Sequence, residues 1–278
     1  MKKPKNQIKT HSPKQAALIF TGLSLISAIA IGIVFGYNSL RNIYLEQCVI
    51  TDLNRQVEIN HGKMVDGEVI REKLGLKTGA NLALIDFKTK REEALKTTPN
   101  IRNISISRHL PDRITVDVEE RSPIARVNIR GKKAVSGKVV DTDGVVFIWQ
   151  RGTNMLPTIR EADAPGTHPG AHLSGRALAA LRVIEACQEG DLRELGILEI
   201  DASKNDYLLA TLGNYSRAKI AWNQMNDIDS FESRDSMLKQ LEFLTKAVRS
   251  HISDDQSVIW NATDTSGKIY ADIKGAVL

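Results

Sequence analysis

An unbroken apolar run constrains this chain more than any other feature. From Ala16 to Tyr37 it reads AALIFTGLSLISAIAIGIVFGY, 22 residues without a charge. At the helical rise this is about 33 Å, which matches a hydrocarbon core of roughly 30 Å. A buried helix of that length in a soluble domain would present a polar face, and Thr21, Ser24 and Ser27 do not make one. The run predicts a transmembrane helix over 16–37. Gly32 and Gly36 have the small-xxx-small spacing that lets membrane helices approach closely, though such glycines are common in any membrane helix.

Charge sets the orientation. The formal net charge is +5, and Lys2, Lys3, Lys5, Lys9 and Lys14 occupy residues 1–15 without a single acid. Removing those five leaves zero for the rest of the chain. The positive-inside rule then keeps the tail at 1–15 in the cytoplasm and sends everything after the span across the membrane. Ala28-Ile29-Ala30 resembles a signal-peptide cleavage site, but the apolar run continues through Ile31, Ile33, Val34 and Phe35, beyond a short h-region. An uncleaved anchor is the expectation. A nucleic-acid binder is excluded, because it would carry its positive charge on a folded face and not in a short tail. Leu45-Glu46-Gln47-Cys48 lacks the small residues that a lipoprotein cleavage box needs before its cysteine. Cys48 and Cys187 lie far apart in sequence, and two cysteines make no disulfide scaffold.

Beyond the membrane, residues 38–55 read as a juxtamembrane linker, with a helical continuation of the span as an alternative. A compact module follows. Val57-Glu58-Ile59 alternates as a short strand, and Asn60-His61-Gly62 supplies a turn. Asp66 is placed to cap a helix through Val69, Ile70 and Leu74, which Gly75 ends. Leu82, Leu84 and Ile85 suggest a short extended segment. Thr89-Lys90-Arg91-Glu92 has capping-box spacing ahead of Ala94 and Leu95, and that helix must end before Pro99. Two alternating strands come next, carried by Ile104 and Ile106 and by Ile114, Val116 and Val118, with turn chemistry at His109-Leu110-Pro111-Asp112. The order is β-α-α-β-β.

The second half is also mixed. Residues 139–147 form a hairpin around an Asp-Gly turn. Residues 161–172, rich in Gly, Pro, His and Ala, read as a loop. A helix from Ser174 carries Leu178, Leu181, Val183, Ile184 and Cys187. Strands are expected at 197–201, 207–212, 217–222, 258–262 and 268–273. A helix around 234–250 sets Met237, Leu238, Leu241, Leu244 and Val248 on one stripe.

In this order the pieces resemble the bacterial cell-division family FtsQ, called DivIB in some bacteria. The resemblance rests on residues 57–62, on Arg108-His109-Leu110-Pro111, and on the run from Ile114 to Ala125. Its most specific part is Glu120-Arg121-Ser122-Pro123-Ile124-Ala125 directly after an alternating strand. The hairpin at 141–147 and Leu156-Pro157 match the family's next landmarks. Arg108, Pro111, Glu120, Arg121, Pro123 and Ala125 are the motif positions. The resemblance departs at Ala221-Trp222-Asn223, where the family usually ends a strand with leucine-glycine, and in the loop at 161–172. It implies an α+β protein with one N-terminal transmembrane helix. A POTRA module (polypeptide-transport-associated) at 56–122 and a larger mixed β-rich domain at 123–278 would follow. It further implies a divisome scaffold of the inner membrane at the septum. FtsB-like and FtsL-like proteins are then the expected partners, and other divisome components could meet the POTRA module.

No constellation points to catalysis, a cofactor or a small-molecule substrate. His168 and His172 flank Pro169 and Gly170, which break the helix that would set both on one face, and no ligand cluster is near. Glu119 and Glu120 are adjacent and face opposite ways in a strand, so Glu120-Arg121 reads as a charge pair at the domain junction. No nucleophile elbow or phosphate-cradling glycine loop is present. The interaction reading has a physical form. A terminal strand around Ser266, Gly267, Lys268, Ile269, Tyr270 and Asp272 would leave backbone groups unpaired. A partner's extended segment can add there, with Tyr270 as anchor. The resemblance points to the same strands as the docking place for FtsB. The alternative is a plain edge blunted by Lys268 and Asp272. Polypeptide handling by a secretion-type POTRA protein competes as a function, but it would need a long series of barrel strands that the chain lacks. An anchored extracytoplasmic enzyme is the weaker alternative.

Overall fold

A computed structural model of the chain describes residues 13–129, 137–150, 152–162, 167–250 and 258–273. The chain divides into two compact units. One comprises Met1–Glu58, Gly75–Asp86 and Ile106–Thr115, the other Ile59–Leu74, Phe87–Ser105 and Val116–Leu278.

In the first unit helix α1 runs from Pro13 to Gln47 without a break. Among the described residues it is the one helix long and apolar enough to cross a membrane, and from Leu23 onward it is wholly unburied. Of the two expectations for 38–55, the helical continuation of the span holds as far as Gln47. Asn38-Ser39-Leu40-Arg41-Asn42-Ile43-Tyr44-Leu45-Glu46-Gln47 contains neither Gly nor Pro, so nothing stops the helix at the end of the apolar run. Cys48 and Ile50 are then fully buried. A short helix α2, Leu53–Gln56, is capped by Asp52, whose carboxylate accepts from the N–H groups of Asn54 and Arg55. The extended segment expected at Leu82, Leu84 and Ile85 is instead a turn, in which the N–H groups of Leu84 and Ile85 both donate to the carbonyl of Asn81. Apolar composition alone does not separate a buried turn from a short strand.

Strands β1 (Val57–Asn60), β2 (Ile101–His109) and β3 (Arg113–Glu120) form a three-stranded sheet in the order β1-β3-β2. Asp66 caps α3 (Gly67–Lys73) through the N–H of Glu68, and Gly75 follows at φ +72°. Helix α4 spans Phe87–Thr97, three residues longer at its start than the capping box implied, so Thr89 lies inside the first turn. Asp86, a residue type favoured as a cap, directly precedes that start, and Phe87 is buried.

The second unit holds a nine-stranded mixed sheet in the order β12-β11-β10-β9-β8-β7-β4-β5-β6. Its strands are β4 (Ala125–Ile129), β5 (Lys138–Val140), β6 (Val146–Ile148), β7 (Thr158–Ala162), β8 (Glu199–Asp201), β9 (Leu208–Thr211), β10 (Arg217–Ile220), β11 (Val258–Ala262) and β12 (Tyr270–Ile273). Strands β4 and β7 have no counterpart in the sequence reading, and β7 enters the stretch expected as a loop. They pair in parallel inside the sheet, where Val127 and Ile159 supply inward residues. Ala125-Arg126-Val127-Asn128-Ile129 alternates as a strand should, whereas Thr158-Ile159-Arg160-Glu161-Ala162 does not. Val127, Ile159, Ile200, Ala210, Ala218 and Trp260 form one cross-sheet row by register. That row is buried in the same core as α5 (Gly175–Ala186) and α6 (Phe231–Ser250). The opposite face carries the alternate residues.

Both cysteines are free and buried. Burial pushes the Cys187 thiol up from 9.0 to about 12. The folded state therefore favours the neutral thiol, and this contribution is complete below pH 9 and lost as pH rises toward 12. The advantage of the wild type over Cys187→Ala should shrink by up to about 1.4 kcal/mol per pH unit above pH 9. Urea midpoints measured across that range for both proteins check it, and a constant difference would contradict it.

Candidate functional site: a sheet edge and a motif junction

The motif residues at the end of β3 work in two directions. The Glu120 carboxylate accepts three successive backbone donors, from Lys63 at 3.1 Å, Met64 at 3.1 Å and Val65 at 2.8 Å. A Cβ on Gly62 would stand 2.2 Å from Glu120 Oε2, so glycine is required for the loop to close on the carboxylate. Arg121 turns the other way. Its Nη1 donates to Asp141 at 2.5 Å and Asp143 at 3.2 Å, and its Nε donates to the carbonyl of Pro99 at 3.1 Å. Glu120 and Arg121 thus do not form the expected junction charge pair, because adjacent residues of an extended chain face opposite ways. The junction is made by Arg121 and the Asp141-Thr142-Asp143-Gly144 turn instead. Asp141 also accepts from the N–H of Val145 at 2.9 Å, and Arg102 donates to Asp143 at 2.9 Å, an interaction that raises the Arg102 pKa.

The other motif positions are structural. Arg108 donates to the carbonyl of Ile85 at 2.8 Å, Pro111 sits in the β2–β3 turn, and Pro123 leads into fully buried Ala125 at the start of β4. His168 and His172 lie beside β6, where the N–H of Gly170 donates to Val146 and the N–H of Val146 to Ala171, each at 2.8 Å. Asn100 covers the same edge by donating to Ile148 at 2.9 Å.

At the far end of the sheet β12 pairs, among the described residues, with β11 alone. Of the residues expected there, Ser266 and Gly267 form a turn, their N–H groups donating to Asp264 Oδ1 at 2.9 Å and to the Asp264 carbonyl at 3.2 Å. The Ser266 hydroxyl and N–H hold the Asp264 carboxyl below its usual range. Gly267, at φ +86°, lies against the Phe243 ring, where a Cβ would come within 2.8 Å. Lys268 and the half-buried Ile269 precede the strand, which begins at Tyr270, two residues later than expected. Tyr270 is 51% exposed. By register it shares a face with Asn261, Lys219 and Leu209, the face turned away from the core row. Asp272 shares that face beside Ile259 and Arg217.

An apolar spanning helix, a β-α-α-β-β module and a mixed sheet with one edge covered and one edge open define a membrane-anchored POTRA protein. The family model for the FtsQ-type POTRA domain matches residues 54–121. The cell division protein FtsQ of Corynebacterium glutamicum is 24% identical over 185 residues, covering 66% of this chain and 78% of that protein. The chain thus carries an FtsQ-type POTRA domain and is similar to the cell division protein FtsQ beyond that domain as well.

Proposed function

We propose that the protein is a divisome scaffold, which recruits FtsB-like and FtsL-like proteins to the septum and catalyses nothing itself. The carrying observation is strand β12, which among the described residues pairs with β11 alone and begins with exposed Tyr270, in a sheet whose opposite edge is already covered. An extended partner segment that adds to β12 gains main-chain hydrogen bonds, and a side-chain anchor supplies selectivity. In this reading residues 1–15 are cytoplasmic, α1 is the single span in the inner membrane, and the POTRA module and β-rich domain (56–122 and 123–278) lie outside the cytoplasm. The POTRA module is open to further divisome proteins.

Two measurements test it. Depletion of the protein should block septation, and a fluorescent fusion should gather at the division site. Normal septation after depletion would remove the scaffold reading. Co-purification with FtsB-like and FtsL-like proteins should fall about 30-fold in apparent affinity for Tyr270→Asp, the scale of a lost aromatic anchor. Stability of that variant should change by less than about 0.5 kcal/mol, because the side chain is exposed. Unchanged recovery would take Tyr270 out of the site.

A further inference from the structure

We propose that α1 is a rigid strut that fixes the height and rotation of the first unit above the bilayer, and not an anchor on a loose tether. Its length is the first argument. The 35 helical residues reach about 52 Å, well beyond a hydrocarbon core of roughly 30 Å. Leu40, Ile43 and Tyr44 remain exposed on the part that follows the charge-free run. From Ala16 to Tyr44 the helix covers about 43 Å, the thickness of a bilayer with its headgroups. Tyr37 and Tyr44 then sit in the interfacial layer, and Arg41 reaches the headgroups along its stem. Only Leu45–Gln47 separates that layer from the fold.

The second argument is how the helix ends. Every backbone N–H from Cys48 to Asp52 has a partner. Cys48 donates to Leu45 at 3.1 Å, Val49 to Glu46 at 3.4 Å and Ile50 to Ala80 at 2.8 Å. Thr51 and Asp52 both donate to the side-chain oxygen of Gln56, at 2.7 and 2.8 Å. In return the N–H groups of Gly79 and Leu82 donate to Ile50 and Cys48, at 2.8 and 2.9 Å. Asn81 Nδ2 caps the helix by donating to the Leu45 carbonyl at 2.7 Å. Buried Cys48 and Ile50 fill the space behind this ladder. No glycine, proline or unbonded N–H lies in the segment from Cys48 to Asp52 that follows the helix and pairs with the loop at 79–82, so the chain has no hinge there. A turn of the helix in the membrane must turn that loop with it. The strut would then choose which face of the unit meets other proteins anchored in the same bilayer.

Double electron–electron resonance on the full chain in lipid nanodiscs tests this without relying on the cell-division reading. Spin labels go on Asn42→Cys and Lys77→Cys, both exposed, while buried Cys48 and Cys187 stay unlabelled. A control carries Gly-Gly-Ser-Gly inserted between Gln47 and Cys48. The uninserted chain should give a single narrow distance distribution and the control a broad one. Equal widths in the two proteins would overturn the strut.

Discussion

Replacing Arg121 with alanine should destabilise the second unit by about 3–5 kcal/mol, the scale for removing one partner of a buried ion pair. The Arg121 side chain is 14% exposed and that of Asp141 only 4%. Without the guanidinium, Asp141 would keep a buried charge held by the Val145 N–H, and the Pro99 carbonyl would lose its side-chain donor. Exposed ion pairs such as Lys239–Asp235 follow a different rule, and breaking that one should leave the urea midpoint nearly unchanged. Arg121→Lys should recover little, because a single ammonium cannot serve Asp141, Asp143 and the Pro99 carbonyl from one fork. The double variant Arg121→Ala/Asp141→Ala should cost clearly less than the sum of the two single changes, since it removes the orphaned charge. Urea titrations of the four proteins, followed by tryptophan fluorescence, measure the coupling. Additive losses would mean that Arg121 and Asp141 do not act as a pair.

That network shows what a sequence discloses and what it hides. The Glu120-Arg121-Ser122-Pro123-Ile124-Ala125 run was conspicuous, but its partners were not, because Asp141 and Asp143 approach through a hairpin twenty residues on. The spanning helix, α3 with its Asp66 cap, α5, α6 and the order of most strands were legible because each carries a local signature: a charge-free run, a cap or a periodic stripe. Strand β7 lacks such a signature, because Thr158-Ile159-Arg160-Glu161-Ala162 does not alternate and is held by β4 and β8, far away in sequence. Strand β4 has one in the alternating Ala125-Arg126-Val127-Asn128-Ile129, and was legible in principle. Of the two readings of 38–55 the helical continuation holds as far as Gln47, because the end of an apolar run marks the end of the hydrocarbon core, not of the helix. What fastens that helix, Asn81, lies 36 residues from the carbonyl it caps. At the candidate site, Tyr270 was visible as an alternating exposed residue, whereas the covering of β6 by residues 168–172 depends on contacts no local pattern announces.

The neighbour of the open edge carries the second large effect. Trp260→Ala should destabilise the second unit by about 3–5 kcal/mol, the usual range for emptying a buried aromatic site. Trp260 is 5% exposed and stands in the core row beside Ala218, with Ala271 of β12 as its other cross-strand neighbour. Two alanine neighbours cannot fill the volume a lost indole leaves. Trp260→Phe should cost less, about 1–2 kcal/mol, for the indole N–H that donates to Ser216 at 3.2 Å is lost while the ring stays. Ser216 keeps its bond to Asn214 at 2.7 Å, so no buried hydroxyl is left bare. The damage should also be local before it is global. Amide exchange in Trp260→Ala should accelerate first over 258–262 and 270–273, because among the described residues β11 is the one strand that pairs with β12. A segment that adds to β12 binds the folded sheet and not the unfolded chain, so at a hundred times its dissociation constant it returns about 2.7 kcal/mol. Protection restored at β11 and β12 by such a segment, with exchange elsewhere unchanged, would tie the stability of this strand pair to docking. Acceleration spread evenly over the whole sheet would instead make Trp260 an ordinary core residue with no special hold on the edge.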